Sequence, residues 1–188
     1  MICNIFLRRE RKSCVQSRRS LSLLLLALIA VNVELDIFLP SLPQMRQYFG
    51  VEESAIEWVL TINFLGLAVS GLFCGWLSDF FGRKKIIVAG LTLFAVGSFG
   101  CILAESFSLF LASRLLQGIG CGAPATVSFA AICDLYPNPK ATQIISAFNG
   151  IITSATVGAP LLGVLLGGLW GWKANFFFIA ILSVLSYL

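Results

Sequence analysis

The sequence predicts an all-α membrane protein with five full membrane spans and an incomplete sixth. Three observations carry that prediction. The 188 residues are 58% hydrophobic and only 12% charged, about half the charged share of a typical soluble domain. The apolar stretches reach the roughly 20 residues a helix needs to cross a bilayer. Runs such as LSLLLLALIAV and IIVAGLTLFAVGSFGCIL show no alternation of apolar and polar residues, which excludes the alternating segments of a transmembrane β-barrel.

Span 1 covers residues 21–43. The basic segment before it could suggest a cleaved signal peptide, but the apolar run exceeds a signal core and no A-x-A site precedes a soluble domain. Span 2 covers 56–78 and ends in CGWLSDFFGRKK, where Asp79, Arg83, Lys84 and Lys85 crowd into one seam. Span 3 covers 86–104 and span 4 covers 109–132, ending before the turn Tyr136-Pro137-Asn138-Pro139. Span 5 covers 142–170, with Pro160 as a candidate kink. Span 6 starts near Ala174 and is still apolar at Leu188, where the sequence stops short of a full crossing. The domain reading is a basic tail over 1–20 and a transmembrane body over 21–188.

Lysine and arginine prefer cytoplasmic loops. With the N-terminus inside, Arg8, Arg9, Arg11, Lys12, Arg18, Arg19, Arg83, Lys84, Lys85 and Lys140 fall inside, and only Arg46 and Lys173 fall outside. The tail is therefore expected in the cytoplasm, against anionic lipid. Trp58, Trp170 and Trp172 are expected at the outer interface, and Trp76 and Tyr136 at the inner one. Histidine is absent, and the six cysteines, at positions 3, 14, 74, 101, 121 and 133, form no C-x-x-C pair. No metal site, cofactor or disulfide framework is expected. A lipid bilayer is the expected surrounding, with no nucleic acid among the partners. No Ser/His pair, metal cluster or phosphate loop supports an enzyme. GIGCG (118–122) lies inside an apolar helix with no strand before it, so its small residues indicate close helix packing.

The positive-inside rule explains Lys84 and Lys85 but not Asp79, Gly75 or Gly82. Asp79 and Arg83 lie four apart on one helical face. Asp134, at the same end of span 4, completes an expected Asp79–Arg83–Asp134 network joining spans 2 and 4. Gly75 would let another backbone approach, and Gly82 suits a helix end. In span 5, Gly158, Pro160 and Gly163, continued by Gly167, form a small-residue packing face.

Charges inside the membrane are costly and mark function by default. Glu34, Asp36 and Arg114 are the three. Asn32, Asp36, Pro40 and Pro43 form one stripe along span 1, and Pro40 offers no N–H to the carbonyl of Asp36. At 1.5 Å per residue, Asp36 lies about 6 Å, and Arg114 about 9–10 Å, outward of their span midpoints. Asp36 and Arg114 are therefore expected to meet as a hydrogen-bonded or water-linked pair. A carboxyl that moves between a dry site and a guanidinium changes its affinity for a proton, so the pair is a candidate for proton coupling. Glu34 lies about 200° around the helix from Asp36, off that stripe. It is a candidate second proton site or cation site. Asn32, Asn63 and Gln117 are the candidate lining of a substrate cavity.

GWLSDFFGRKK resembles the signature between helices 2 and 3 of the major facilitator superfamily, matching at Gly75, Leu77, Asp79, Gly82, Arg83 and Lys84. LDIFLPSLP (35–43), SRLLQGIGCGAP (113–124) and GAPLLG (158–163) resemble that superfamily's helix 1, helix 4 and helix 5 motifs in its drug:proton antiporters. The form of LDIFLPSLP and the DLYP after span 4 resemble the bicyclomycin-resistance and chloramphenicol-efflux branch. The likeness runs over about 25–188. It implies a six-helix half built from two inverted three-helix repeats, cut within helix 6, with proton-driven export of small hydrophobic drug-like molecules by alternating access. It implies that the Asp79 motif is a conformational latch and that Arg114 takes part in proton coupling. It assigns no role to Glu34, where the branch has an apolar residue. The expected partner is the missing C-terminal half or another copy of the chain, and the expected location is a bacterial inner membrane. The alternative is a non-transporting fragment or assembly subunit, against which the intramembrane acid and arginine argue.

Overall fold

The computed structural model describes residues 21–186, and the basic segment expected in the cytoplasm lies outside them. Helix α1 (21–38) passes through a 3-10 turn, Leu39–Ser41, into α2 (Leu42–Phe49). A short α3 (Glu53–Ile56) leads into α4 (Trp58–Phe81). Then follow α5 (Arg83–Leu103), α6 (Phe107–Leu135), α7 (Asn138–Trp170) and α8 (Lys173–Leu185). Five spans are long and apolar enough to cross a bilayer. No strand occurs among the described residues. In hydrocarbon a backbone must satisfy its own polar groups, which leaves helices as the form for such runs.

Local chemistry sets the breaks. The first span is not one helix, because Pro40 and Pro43 supply no N–H and the chain tightens into a 3-10 turn, Leu39–Ser41, around the first of them. Gly50, Gly82 and Gly171 close α2, α4 and α7 with φ of 61°, 93° and 81°, values that disfavour any residue with a Cβ. Ser106 caps α6 by accepting the Leu109 N–H at 3.3 Å.

Helix α6 is the centre: 61% of its apolar window is buried, against 22% for α4 and for α7. Glycine permits the close approaches that put it there. A Cβ on Gly118 would strike the carbonyl of Asn63 on α4, and one on Gly97 of α5 would lie 2.6 Å from the Gln117 nitrogen on α6. Small residues at such crossings gain backbone-to-backbone dispersion where lipid supplies no hydrophobic drive. Between α1 and α7 the same device recurs, with Gly163 against the carbonyl of Ile37 and Gly167 against Ser41 Oγ. Trp172 is buried within the bundle. Its ring packs edge-on against Phe110 and Phe176 within an aromatic cluster that includes Phe38 and Phe49.

Candidate functional site

Four helices converge on one fully buried ion pair. Arg114 projects from α6 with none of its surface exposed, and Glu34 of α1 meets it. Burying an unpaired carboxylate or guanidinium would cost many kcal/mol, so each needs the other and further hydrogen bonds besides. The neighbours supply them to Glu34 and to one nitrogen of the guanidinium. Arg114 Nη1 donates to Glu34 Oε1 and, at 2.6 Å, to Gln117 Oε1 one helical turn along α6. Gln117 Nε2 donates to Ser98 Oγ of α5 at 2.8 Å. Asn63 of α4 donates through Nδ2 to Glu34 Oε1 and to the carbonyl of Arg114, both at 3.3 Å. The thiol of Cys121 donates to Glu34 Oε2 at 3.7 Å, and that of Cys101 to Gln117 Oε1 at 3.9 Å. Over the guanidinium lie the rings of Phe38, 4.0 Å from Cζ to the centroid, and Phe176, at 5.5 Å.

This geometry corrects the sequence reading at several points. Arg114 pairs with Glu34, and Asp36 makes no ion pair among the described residues. The stripe of Asn32 and Asp36 lies on a more open face of α1, where Asn32 is exposed and its amide donates to the carbonyl of Leu28 at 2.7 Å. The opposite face, bearing Ala27, Val31, Glu34, Phe38 and Ser41, is the one packed into the bundle. Asn63 and Gln117, expected to line an open cavity, are enclosed in the network. Around Gly75 and Gly158 the space is open for 4 Å, so neither admits a close helix within the described residues, whereas Gly163 does. Pro160 sits inside α7 without interrupting it. Ser98, Cys101, Cys121, Phe38 and Phe176 were missed. For Glu34 and Phe38 a signal was present, since both fall in the i, i+3, i+4 register of the apolar residues of α1.

A second charged cluster lies at the other end of α4. Arg83 Nη2 meets Asp79 at 2.9 Å and its Nε meets Asp134 at 3.0 Å. Ser78, also missed, accepts from Arg83 Nη1 and itself donates to the Gly75 carbonyl at 2.6 Å. The cluster links the start of α5 to the ends of α4 and α6, with Gly82 turning the chain between α4 and α5.

The family model described as Major Facilitator Superfamily matches residues 24–188. The chain belongs to the major facilitator superfamily. This member is a six-helix, all-α half of the transporter fold, in an integral multi-pass membrane protein. It is 34% identical over 150 residues to the multidrug resistance protein MdtL of Escherichia coli O81 (strain ED1a). It is 33% identical over 150 residues to MdtL of Shigella dysenteriae serotype 1 (strain Sd197). Each match covers 80% of this chain and 38% of the relative, so the chain spans well under half the length of these proteins. The human organic anion transporter MFSD10 (TETRAN) shares the fold with a TM-score of 0.70 at 23% identity, over 90% of this chain and 46% of that one.

Proposed function

We propose that the chain supplies one half of a proton-coupled exporter of small, hydrophobic, drug-like molecules. The observation that carries the reading is the enclosed Glu34–Arg114 pair, in a chain similar to multidrug resistance proteins. A carboxylate held by a guanidinium in low dielectric is strongly coupled to its surroundings. When the helices around it shift, its proton affinity shifts with them, and a proton taken up on one side can be released on the other. Asn63 and Gln117 hold the pair in register.

Asp36, on the more open face of α1, is the acid positioned to meet substrate or a second half. The exposed face of α7 points the same way. Gln143, Asn149 and Thr153 are exposed there on a membrane helix, and polar groups at that depth belong against protein or a wet cavity rather than lipid. The expected partner is a second six-helix half, with substrate between the halves and rocking giving alternating access. The Asp79–Arg83–Asp134 cluster acts as a latch on the cytoplasmic side. The N-terminus is cytoplasmic and the membrane is a bacterial inner membrane.

The test is dye efflux from everted vesicles that carry the chain with its second half. Proton-gradient-dependent export that disappears in Glu34→Gln supports the reading. Export that keeps its dependence on the gradient in Glu34→Gln removes the pair from the mechanism.

A further inference from the structure

We propose that Phe38 is the seal of the Glu34–Arg114 site, and that the turn following it is the joint on which the seal moves. The guanidinium is satisfied on one edge only. Nη1 serves Glu34 and Gln117, while Nε and Nη2 are buried with no hydrogen-bond partner among the described residues. Phe38 covers the group, face-on at 4.0 Å from Cζ, and its ring is stacked 5.8 Å from Phe176. A ring face attracts a cation, yet it replaces hydrogen bonds to two N–H groups poorly. The cover is therefore held less firmly than the ion pair beneath it.

The backbone is suited to release it. Phe38 is the last residue of α1 before the 3-10 turn Leu39–Ser41. Pro40 has no N–H for the carbonyl of Asp36, and Pro43 removes another donor one turn on. Unwinding the last turn of α1 into this joint, where the Asp36 carbonyl already lacks a donor, would draw Phe38 off Arg114 and let water reach the carboxylate. Phe110 lies in the same aromatic cluster, with its centroid 5.6 Å from that of Phe176, but makes no ring contact with Arg114 among the described residues. It is the control for general loosening.

The inference rests on the proposed transport role for its purpose, but the seal can be read without transport. Cys121 and Cys101, 2% and 0% exposed, touch Glu34 and Gln117 and report access to the pair. With Cys3, Cys14, Cys74 and Cys133 changed to serine, the full chain in nanodiscs is treated with a small anionic methanethiosulfonate, and the modified mass is followed in time. The parent should react slowly. Phe38→Ala should react roughly tenfold faster, Phe38→Tyr at the parental rate, and Phe110→Ala near the parental rate. An unchanged rate in Phe38→Ala, or an equal acceleration in Phe110→Ala, overturns the seal. Should Phe38→Ala not fold, Phe38→Leu keeps apolar bulk without the ring. It must accelerate labelling, and a parental rate again overturns the proposal. Efflux measured separately, in the everted vesicles that carry the chain with its second half, separates the two ideas: acceleration without efflux retains the seal and removes the transport reading, and efflux without acceleration does the reverse.

Discussion

Two arginines of this chain each meet carboxylates, and their surroundings make them different devices. Arg83 and its partners Asp79 and Asp134 keep 30%, 62% and 57% of their side-chain surface exposed. Arg114 and Glu34 keep 0% and 1%. Water screens the first cluster, so forming or breaking it changes the free energy by about 0–1 kcal/mol per pair. That suits the latch proposed for it, a contact that can open at little cost. Packed side chains surround the second, so removing one partner strands a charge where water cannot reach it. The same chemistry gives a weakly coupled, solvated cluster at the rim and a strongly coupled pair in the core.

The largest effect expected from breaking this contrast is at the core. Glu34→Ala should destabilise the folded chain in detergent by about 3–5 kcal/mol, because Arg114 is left uncompensated. The double variant Glu34→Leu, Arg114→Met should recover most of that loss, since an apolar pair of similar bulk carries no desolvation cost. Denaturation by a stronger detergent, followed by helix content, measures both. A double variant as unstable as the single one would show that the pair is not the source.

Next comes the helix crossing that presents Glu34. Gly163→Val drives a side chain into the carbonyl of Ile37 and should cost about 1–3 kcal/mol by the same assay. Gly158→Val, where a Cβ meets nothing within 4 Å, should be close to neutral. Equal losses at the two positions would show that the crossing is not held by close packing.

A loss of similar size is expected at Asn63, whose amide joins α1, α4 and α6. Asn63→Leu removes donors to Glu34 and to the Arg114 carbonyl and should cost about 1–3 kcal/mol. The smallest belongs to the rim. Asp134→Asn should change stability by less than about 1 kcal/mol, and that difference should shrink further in high salt. A loss there comparable to that of Glu34→Ala would erase the distinction between the two sites. Asp36→Asn sharpens it from another side: stability should stay near parental while efflux changes, since Asp36 carries no ion pair among the described residues.

The rim cluster was legible in the residues because its geometry is local. Asp79 and Arg83 are one helical turn apart, and Asp134 ends a span predicted to reach the same membrane face. The core pair was not legible, because it depends on how α1 is rotated against α6. Depth along the spans matched Asp36 to Arg114, but depth carries no information on which face of α1 turns toward α6. In the folded chain the apolar register containing Glu34 packs inward, and the polar stripe is left for whatever covers that face. Asn63 and Gln117 were recognised as functional candidates, but their enclosure depends on Gly118 and Gly97 drawing α4 and α5 onto α6.

Composition and run length by themselves determined a bundle of membrane-crossing helices, because a backbone in lipid must close its own hydrogen bonds whatever its neighbours do. Local turn chemistry determined the helix ends at Gly50, Gly82 and Gly171. Which acid meets Arg114 was decided only by the tertiary structure. Helix rotation is set by close contacts between segments far apart in the chain, such as Gly163 on Ile37 and Gly118 on Asn63, and no spacing within one helix encodes them.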